Sequence, residues 1–183
     1  MKQTTLAIVL AALASAPASA QVFGGNQMAK ALPFRVTLGY GRTETFRNNA
    51  SQRVHLEGPE IGLEIPLARP APGAPVIMLM PSVLLGGQLT HGGDTDGYVY
   101  RGQIGVNAPI GAKGFYTRFA IGYSASQARN NEFEDQSGFT QRYTVGYGLN
   151  TYGAADKASL EVSYHTGSDG ALRGWTFGAN IRF

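Results

Sequence analysis

A histidine and a serine near the C-terminus are the side chains of this sequence best suited to covalent chemistry. They lie in the run Tyr164-His165-Thr166-Gly167-Ser168-Asp169. An imidazole at His165 could act as a general base for a hydroxyl nucleophile such as Ser168, provided that an acidic group orients the ring. The chain contains no cysteine, which excludes thiol nucleophiles and disulfide frameworks. The candidate chemistry is therefore ester hydrolysis centred on His165.

This run resembles a motif of lipid A deacylases, in which a His and a Ser near the penultimate strand attack an acyl ester. That family places the Ser two residues after the His, whereas position 167 of this chain is Gly. Ser168 is three residues from His165, and on a strand that spacing puts two side chains on opposite faces. No Glu follows in the last segment of the chain. We therefore predict a non-enzymatic protein, with His165 as the one catalytic candidate.

The other histidines and acidic residues form no metal-ligand pattern. His55 and His91 have no ligand spacing between them, and both are expected in solvated loops. Two acidic loop clusters could contact divalent cations near lipopolysaccharide: Asp94 with Asp96, and Glu132 with Glu134 and Asp135. Loop acids are usually just solvated, so we predict no metal site and no cofactor. The basic residues are scattered and the net charge is +3, so no nucleic acid partner is expected.

The N-terminal segment has the features of a secretory signal peptide. Lys2 forms a positive n-region, residues 6–13 form an apolar h-region, and Ala18-Ser19-Ala20 forms a small-residue cleavage site. The apolar run is shorter than the ~20 residues that a membrane helix needs. We predict a cleaved signal peptide over 1–20, a periplasmic leader over 21–33 and one folded domain over 34–183.

The C-terminal residues 175–183 alternate strictly between apolar side chains and polar side chains or Gly. One face of a strand here would carry Trp175, Phe177, Ala179, Ile181 and Phe183. The other face would carry Thr176, Asn180 and Arg182. This stretch resembles the C-terminal assembly signal of bacterial outer-membrane β-barrels, whose final strand ends in Phe. The resemblance implies a lipid-facing strand that closes a barrel against the first strand.

The same alternation recurs along the rest of the chain. Eight segments show it, at about 34–41, 58–66, 75–89, 98–108, 115–124, 139–150, 159–165 and 175–183. Single-chain bacterial membrane barrels have an even number of strands, in which lipid-facing and lumen-facing residues alternate. The sequence therefore predicts an all-β fold, an eight-stranded antiparallel up-and-down transmembrane β-barrel.

The polar face of these segments favours a membrane barrel over a lipocalin-type soluble barrel. It carries charges of both signs: Arg35, Glu60, Glu64, Arg101, Arg118, Arg142, Glu161 and Arg182. Turned into a narrow lumen, such charges can pair and neutralise one another. The same face carries many glycines, which suit an interior just wide enough for side chains. Aromatic residues at strand ends, such as Tyr40, Tyr123 and Trp175, are typical of the two girdles of a membrane barrel.

Taken together, the alternation and the terminal Phe resemble the small eight-stranded outer-membrane barrels of Gram-negative bacteria, of the OmpA transmembrane-domain and OmpX/Ail type. The resemblance implies a location in the cell outer membrane. We expect contacts with outer-membrane lipids and lipopolysaccharide, with periplasmic chaperones and with the barrel-assembly machinery, and a monomeric state. The polar connections at 47–52, 90–97, 127–138 and 166–171 would face outward, and those at 67–75, 109–114 and 152–156 the periplasm.

Three functions remain open from the sequence. The first is a structural or surface-interaction barrel with a packed polar interior and short outer loops. The second is a lipid A-modifying enzyme that uses His165. The third is a porin-like narrow channel for hydrophobic solutes, because Met78, Met80 and Leu84 would share the inner face of the third segment.

Overall fold

A computed structural model describes residues 34–46, 53–67, 80–91, 96–110, 114–129, 133, 135–149, 158–167 and 171–182. The described residues all belong to one compact unit, Pro33–Phe183. The predicted signal peptide (1–20) and leader (21–33) lie outside the described residues, and so does Phe183. No helix in the described part of the chain is long and apolar enough to cross a membrane.

Eight antiparallel strands make up this unit, which confirms the predicted fold class. They are β1 (Arg35–Phe46), β2 (Arg53–Pro66), β3 (Met80–Thr90), β4 (Gly97–Pro109), β5 (Phe115–Ala128), β6 (Gln136–Gly148), β7 (Ala158–Gly167) and β8 (Arg173–Arg182). Each strand pairs with its neighbours in chain order, and the sheet closes into a barrel. β8 pairs with β1 from Arg35↔Arg182 to Glu44↔Arg173, so no sheet edge is left along those residues.

The apolar face of the barrel points outward. Ile61 is 60% exposed and Phe177 is 59% exposed, and large aliphatic and aromatic side chains on all eight strands are similarly open. Most inward positions are instead polar and nearly fully buried, as the alternating burial of β6 and β7 illustrates. A soluble barrel would bury its apolar residues and hydrate its polar ones, so this arrangement is that of a barrel with lipid as its outer solvent.

Both chain ends of the unit lie at one end of the barrel, called here the terminal end, and the opposite end is called the distal end. Several strands extend beyond their predicted limits toward the distal end. β1 continues to Phe46 and β2 begins at Arg53, because their backbones stay paired after the apolar alternation stops. β3 is described from Met80 onward, so the predicted stretch 75–79 lies outside the described residues.

Candidate functional site

A group of charged side chains crosses the lumen near the terminal end. This basal cluster consists of Arg35, Glu64, Asn107, Tyr116, Arg118 and Glu161. Arg118 lies at its centre and is 2% exposed. Its Nη2 is 2.6 Å from Glu64 Oε2 and 2.9 Å from Glu161 Oε1, and its Nε donates to Asn107 Oδ1 at 2.7 Å. One guanidinium therefore bridges two buried carboxylates, one from β2 and one from β7, and Arg35 brings a second positive charge to Glu64 at 3.6 Å.

A second group lies closer to the middle of the lumen. This central cluster consists of Thr43, Glu60, Gln88, Arg101, Arg142 and Thr176. Arg101 Nη1 donates to Glu60 Oε2 at 2.9 Å, and Arg101 Nη2 donates to Thr43 Oγ1 at 2.7 Å. Arg142 Nη1 lies 3.9 Å from Glu60 Oε1. The two clusters span the lumen with paired groups, the arrangement expected of a plug rather than an open pore.

Most residues predicted to line the lumen meet in these two clusters. Arg35, Glu60, Glu64, Arg101, Arg118, Arg142 and Glu161 all take part in the ion pairs described. Arg182 lies on β8 opposite Arg35, and its side chain lies outside the described part. Of the residues that suggested an apolar lumen, Leu84 is buried and Met78 lies outside the described residues.

His165 lies inside the lumen on β7, which is the face that the alternation predicted. Its Nε2 is 3.1 Å from Thr176 Oγ1, and that hydroxyl donates its one proton to Glu60 Oε2 at 3.0 Å. Thr176 must then accept from His165 Nε2–H, which leaves Nδ1 as the unprotonated nitrogen. Nδ1 is buried without a hydrogen-bond partner in the described part of the chain. Ser168 and Asp169 lie outside the described residues.

A loop residue packs into the distal mouth of the barrel, which the sequence analysis did not foresee. Phe133 is 2% exposed and belongs to a buried apolar cluster with Leu56, Val99 and Ala128. Asp135 Oδ1 accepts from the Ala128 backbone N–H at 3.0 Å, which ties the same connection to the end of β5. The predicted polar connection over 127–138 therefore includes an apolar anchor, and the one sequence signal for it was a lone Phe among polar residues.

A patch of charged side chains lies on the outer surface at the distal end of β8, β1 and β2. This rim patch consists of Arg42, Glu44, Arg53, His55, Glu57 and Arg173. Glu44 Oε2 accepts from Arg173 Nε at 2.6 Å and from Arg53 Nη1 at 3.2 Å. Arg42 Nε lies 3.3 Å from Glu57 Oε1. The prediction of a solvated loop position for His55 was wrong, because the residue lies within β2 on the outer face.

The rim patch begins at the level of the distal aromatic residues. Arg42 follows Tyr40 on the outer face of β1, and the residue paired with it on β8 is Trp175. On β3 to β7 the outward residue nearest the distal end of each strand is uncharged: Leu89, Tyr98, Gln127, Ser137 and Thr166. Beyond the strand ends, His91, Asp96 and Arg129 follow on β3, β4 and β5. Among the described residues, the largest group of charged side chains on the outer face thus lies on β8, β1 and β2, at the depth where aromatic girdles meet lipid headgroups.

The outer face of β8 is apolar along its length, as its alternation predicted. Trp175, Phe177 and Ile181 are exposed, and Ala179 is exposed beside them. Trp175 also packs on Tyr164 of β7 with ring centroids 4.7 Å apart. Such exposed aromatic pairs at a strand end are suited to a membrane–water interface.

Few acidic or histidine side chains meet at the distal connections. His91 Nδ1 lies 2.7 Å from Asp96 Oδ1. Asp94, Glu132 and Glu134 lie outside the described residues. Within the described ranges, no group of three His, Asp or Glu side chains is arranged to hold a metal ion.

The sequence matches no protein-family model and no curated protein, whereas its fold matches solved structures. One of them is Ail of Yersinia pestis, crystallised with the heparin analogue sucrose octasulfate, which has 12% sequence identity to this chain and a TM-score of 0.53. The superposition covers 82% of this chain and 98% of Ail. The same protein in a phospholipid nanodisc is 11% identical, with a TM-score of 0.50 and coverage of 82% and 99%. The fold is that of a small outer-membrane β-barrel. The N-terminal barrel of Pseudomonas aeruginosa OprF is 12% identical, with a TM-score of 0.45 and coverage of 84% and 98%.

Proposed function

We propose that this chain is a monomeric, non-enzymatic outer-membrane barrel that contacts lipopolysaccharide through its rim patch. Its N-terminal signal peptide would direct export, and periplasmic chaperones would bind the unfolded chain. The barrel-assembly machinery would recognise the C-terminal strand and insert the barrel. Support for the membrane location comes from the outward apolar face and from the outer-membrane type of the fold.

The rim patch is the observation that carries the proposal. Its three guanidinium groups face two carboxylates, so it has an excess of positive charge on an outer surface next to lipid. Arginine presents five N–H donors in a planar fork that matches phosphate oxygens. Arg42 is the most open of the three, with 53% of its side chain exposed. The phosphates of lipid A lie at the headgroup level and are anions of the right geometry.

The lumen supports a role without catalysis or transport. His165 is engaged with Thr176 inside the barrel, turned away from the lipid in which an acyl ester would lie. The basal cluster fills the lumen with mutually paired side chains, and opening a path through it would expose buried charges at a large cost. A barrel with such an interior acts through its outer surface.

The rim patch can be tested by measuring lipopolysaccharide binding to the purified barrel in phosphatidylcholine nanodiscs. Replacing Arg42 and Arg173 together by Ala should weaken binding by about tenfold, since two charge-assisted contacts of roughly 0.7 kcal/mol each are lost at an exposed site. Arg129→Ala, the same change beyond the end of β5, should leave the affinity unaltered. An unchanged Kd in the double variant would contradict the proposal.

A further inference from the structure

The paired barrel wall has a notch at the distal end, where the described pairing of β7 and β8 stops before the ends of β6 and β1. β6 begins at Gln136, but its pairing with β7 begins only at Thr140↔Gly167. β1 continues to Phe46, but its pairing with β8 ends at Glu44↔Arg173. We call the gap between Gln136–Phe139 of β6 and Phe46 of β1 the saddle.

A half-open cavity of about 350 Å³ occupies the saddle. Leu172 and Gly167 line it between the two strands, and Phe46 and Phe139, at outward positions of β1 and β6, line it on either side. This volume is at the lower end of the ~300–1,000 Å³ typical of small-molecule sites. Leu172 holds a φ of 57°, a conformation that costs free energy for a bulky side chain and is enriched at functional positions. At about 350 Å³, the cavity has the size for a short saccharide.

The polar groups of the saddle suit hydroxyl-rich ligands. In the described part of the chain, Gln136–Phe139 has a strand partner on the β5 side alone, so the other edge presents backbone N–H and C=O groups to the cavity. Gln136 lines the same region, and its Oε1 is buried without a hydrogen-bond partner among the described residues, so a ligand hydroxyl would reach this oxygen once the side chain turns toward the cavity. Sugar hydroxyls donate and accept hydrogen bonds, and the C–H face of a pyranose packs well on an aromatic ring such as Phe139.

The charges around the saddle favour a neutral ligand inside it and an anion beside it. Asp135 is the one charged side chain among the described residues that line the cavity, so an anionic group would be repelled there. The rim patch adjoins the cavity directly, because the Leu172 backbone N–H donates to Glu44 O at 2.8 Å. A molecule with phosphates next to neutral sugars, anchored at the membrane surface, would satisfy both regions at once.

We propose that the saddle binds neutral sugars of the lipopolysaccharide core, beside the lipid A phosphates held by the rim patch. This site rests on the proposed function, since the rim patch must orient the glycolipid before its sugars reach the cavity. It adds recognition of the glycan to the electrostatic contact with the lipid.

The experiment compares two probes, core-bearing lipopolysaccharide and lipid A without core sugars, on the barrel in phosphatidylcholine nanodiscs. The wild-type protein should bind the core-bearing probe more tightly by about fivefold, the effect of one additional net hydrogen bond. Gln136→Ala should reduce this preference, and Gly138→Leu, which fills the cavity, should abolish it. Both variants should bind lipid A as the wild type does. Gln127→Ala, the same truncation on the outer face of β5, should retain the preference.

Equal affinity of the wild type for the two probes would overturn the saddle site while leaving the rim patch intact. Retention of the full preference by both Gln136→Ala and Gly138→Leu would overturn it as well. Failure of the rim patch is a separate result. The double variant Arg42→Ala with Arg173→Ala should lower the affinity for both probes by the same factor, and unchanged affinity for both would contradict the rim patch alone. The heat-dependent gel shift of each variant establishes that its barrel is folded before binding is measured.

Discussion

Replacing Arg118 by Met should lower the free energy of unfolding of the barrel by about 3–5 kcal/mol. The guanidinium holds Glu64 and Glu161 at 2.6 and 2.9 Å, and both carboxylates are 3% exposed. Without it, two buried negative charges lose their main partner and cannot reach water. Urea titration in detergent, followed by the fluorescence of Trp175, the one tryptophan of the sequence, measures the change.

The matched control for Arg118 is Arg42→Met, the same substitution on the outer face of the same barrel. Its side chain is 53% exposed, and exposed ion pairs contribute about 0–1 kcal/mol. Adding Glu161→Gln to Arg118→Met should recover part of the loss, because one of the uncompensated charges is then removed. If Arg118→Met costs no more than Arg42→Met, the basal cluster does not stabilise the fold.

Replacing Gly122 by Ala should destabilise the barrel by about 1–3 kcal/mol or prevent closure of the sheet at β4–β5. A Cβ at Gly122 would lie 2.1 Å from Gly102 O and 2.6 Å from Gln103 Cα, both backbone atoms that cannot rotate away. The two strands would have to separate, which weakens their ladder. The same urea titration reports the loss, and the heat-dependent gel shift reports the fraction that folds.

Gly87→Ala provides the control, since a Cβ at Gly87 on β3 would meet nothing within 4 Å. Its effect should stay within about 0.5 kcal/mol. Equal stability of Gly122→Ala and Gly87→Ala would contradict the close approach of β4 and β5. The comparison separates the steric demand of the inner face from the general effect of replacing Gly in a strand.

The alternation of the sequence was enough to predict the fold, because in a membrane barrel each strand repeats the same two-faced pattern. The inward direction of Arg118 and His165 follows from that pattern alone, whereas closure of β8 on β1 was implied by the resemblance of the last strand to those of outer-membrane barrels. Ion-pair partners could not be predicted, since they depend on register across the barrel. Arg118 and Glu64 are 54 positions apart in the sequence, and nothing local connects them.

The features of the distal end were missed for a different reason. Beyond Tyr40 the outer face of β1 becomes charged, so the apolar period ends although pairing continues through Glu44↔His55. Alternation therefore marks where a strand lies in lipid, and not where it stops. The saddle depends on where the pairing of neighbouring strands ends, and the packing of Phe133 depends on the path of a loop. Neither has a periodic signal.

The orientation of the two faces is the central claim, and the absence of native cysteine makes it directly measurable. Single-cysteine variants from Tyr143 to Tyr147 on β6 can carry a spin label in lipid vesicles. Labels at the outward positions 143, 145 and 147 should collide with oxygen dissolved in the bilayer and not with a water-soluble nickel chelate. A label at the inward position 144 should collide only weakly with either oxygen or the chelate. Free access of the nickel chelate to positions 143 and 145 would contradict a barrel with lipid as its outer solvent.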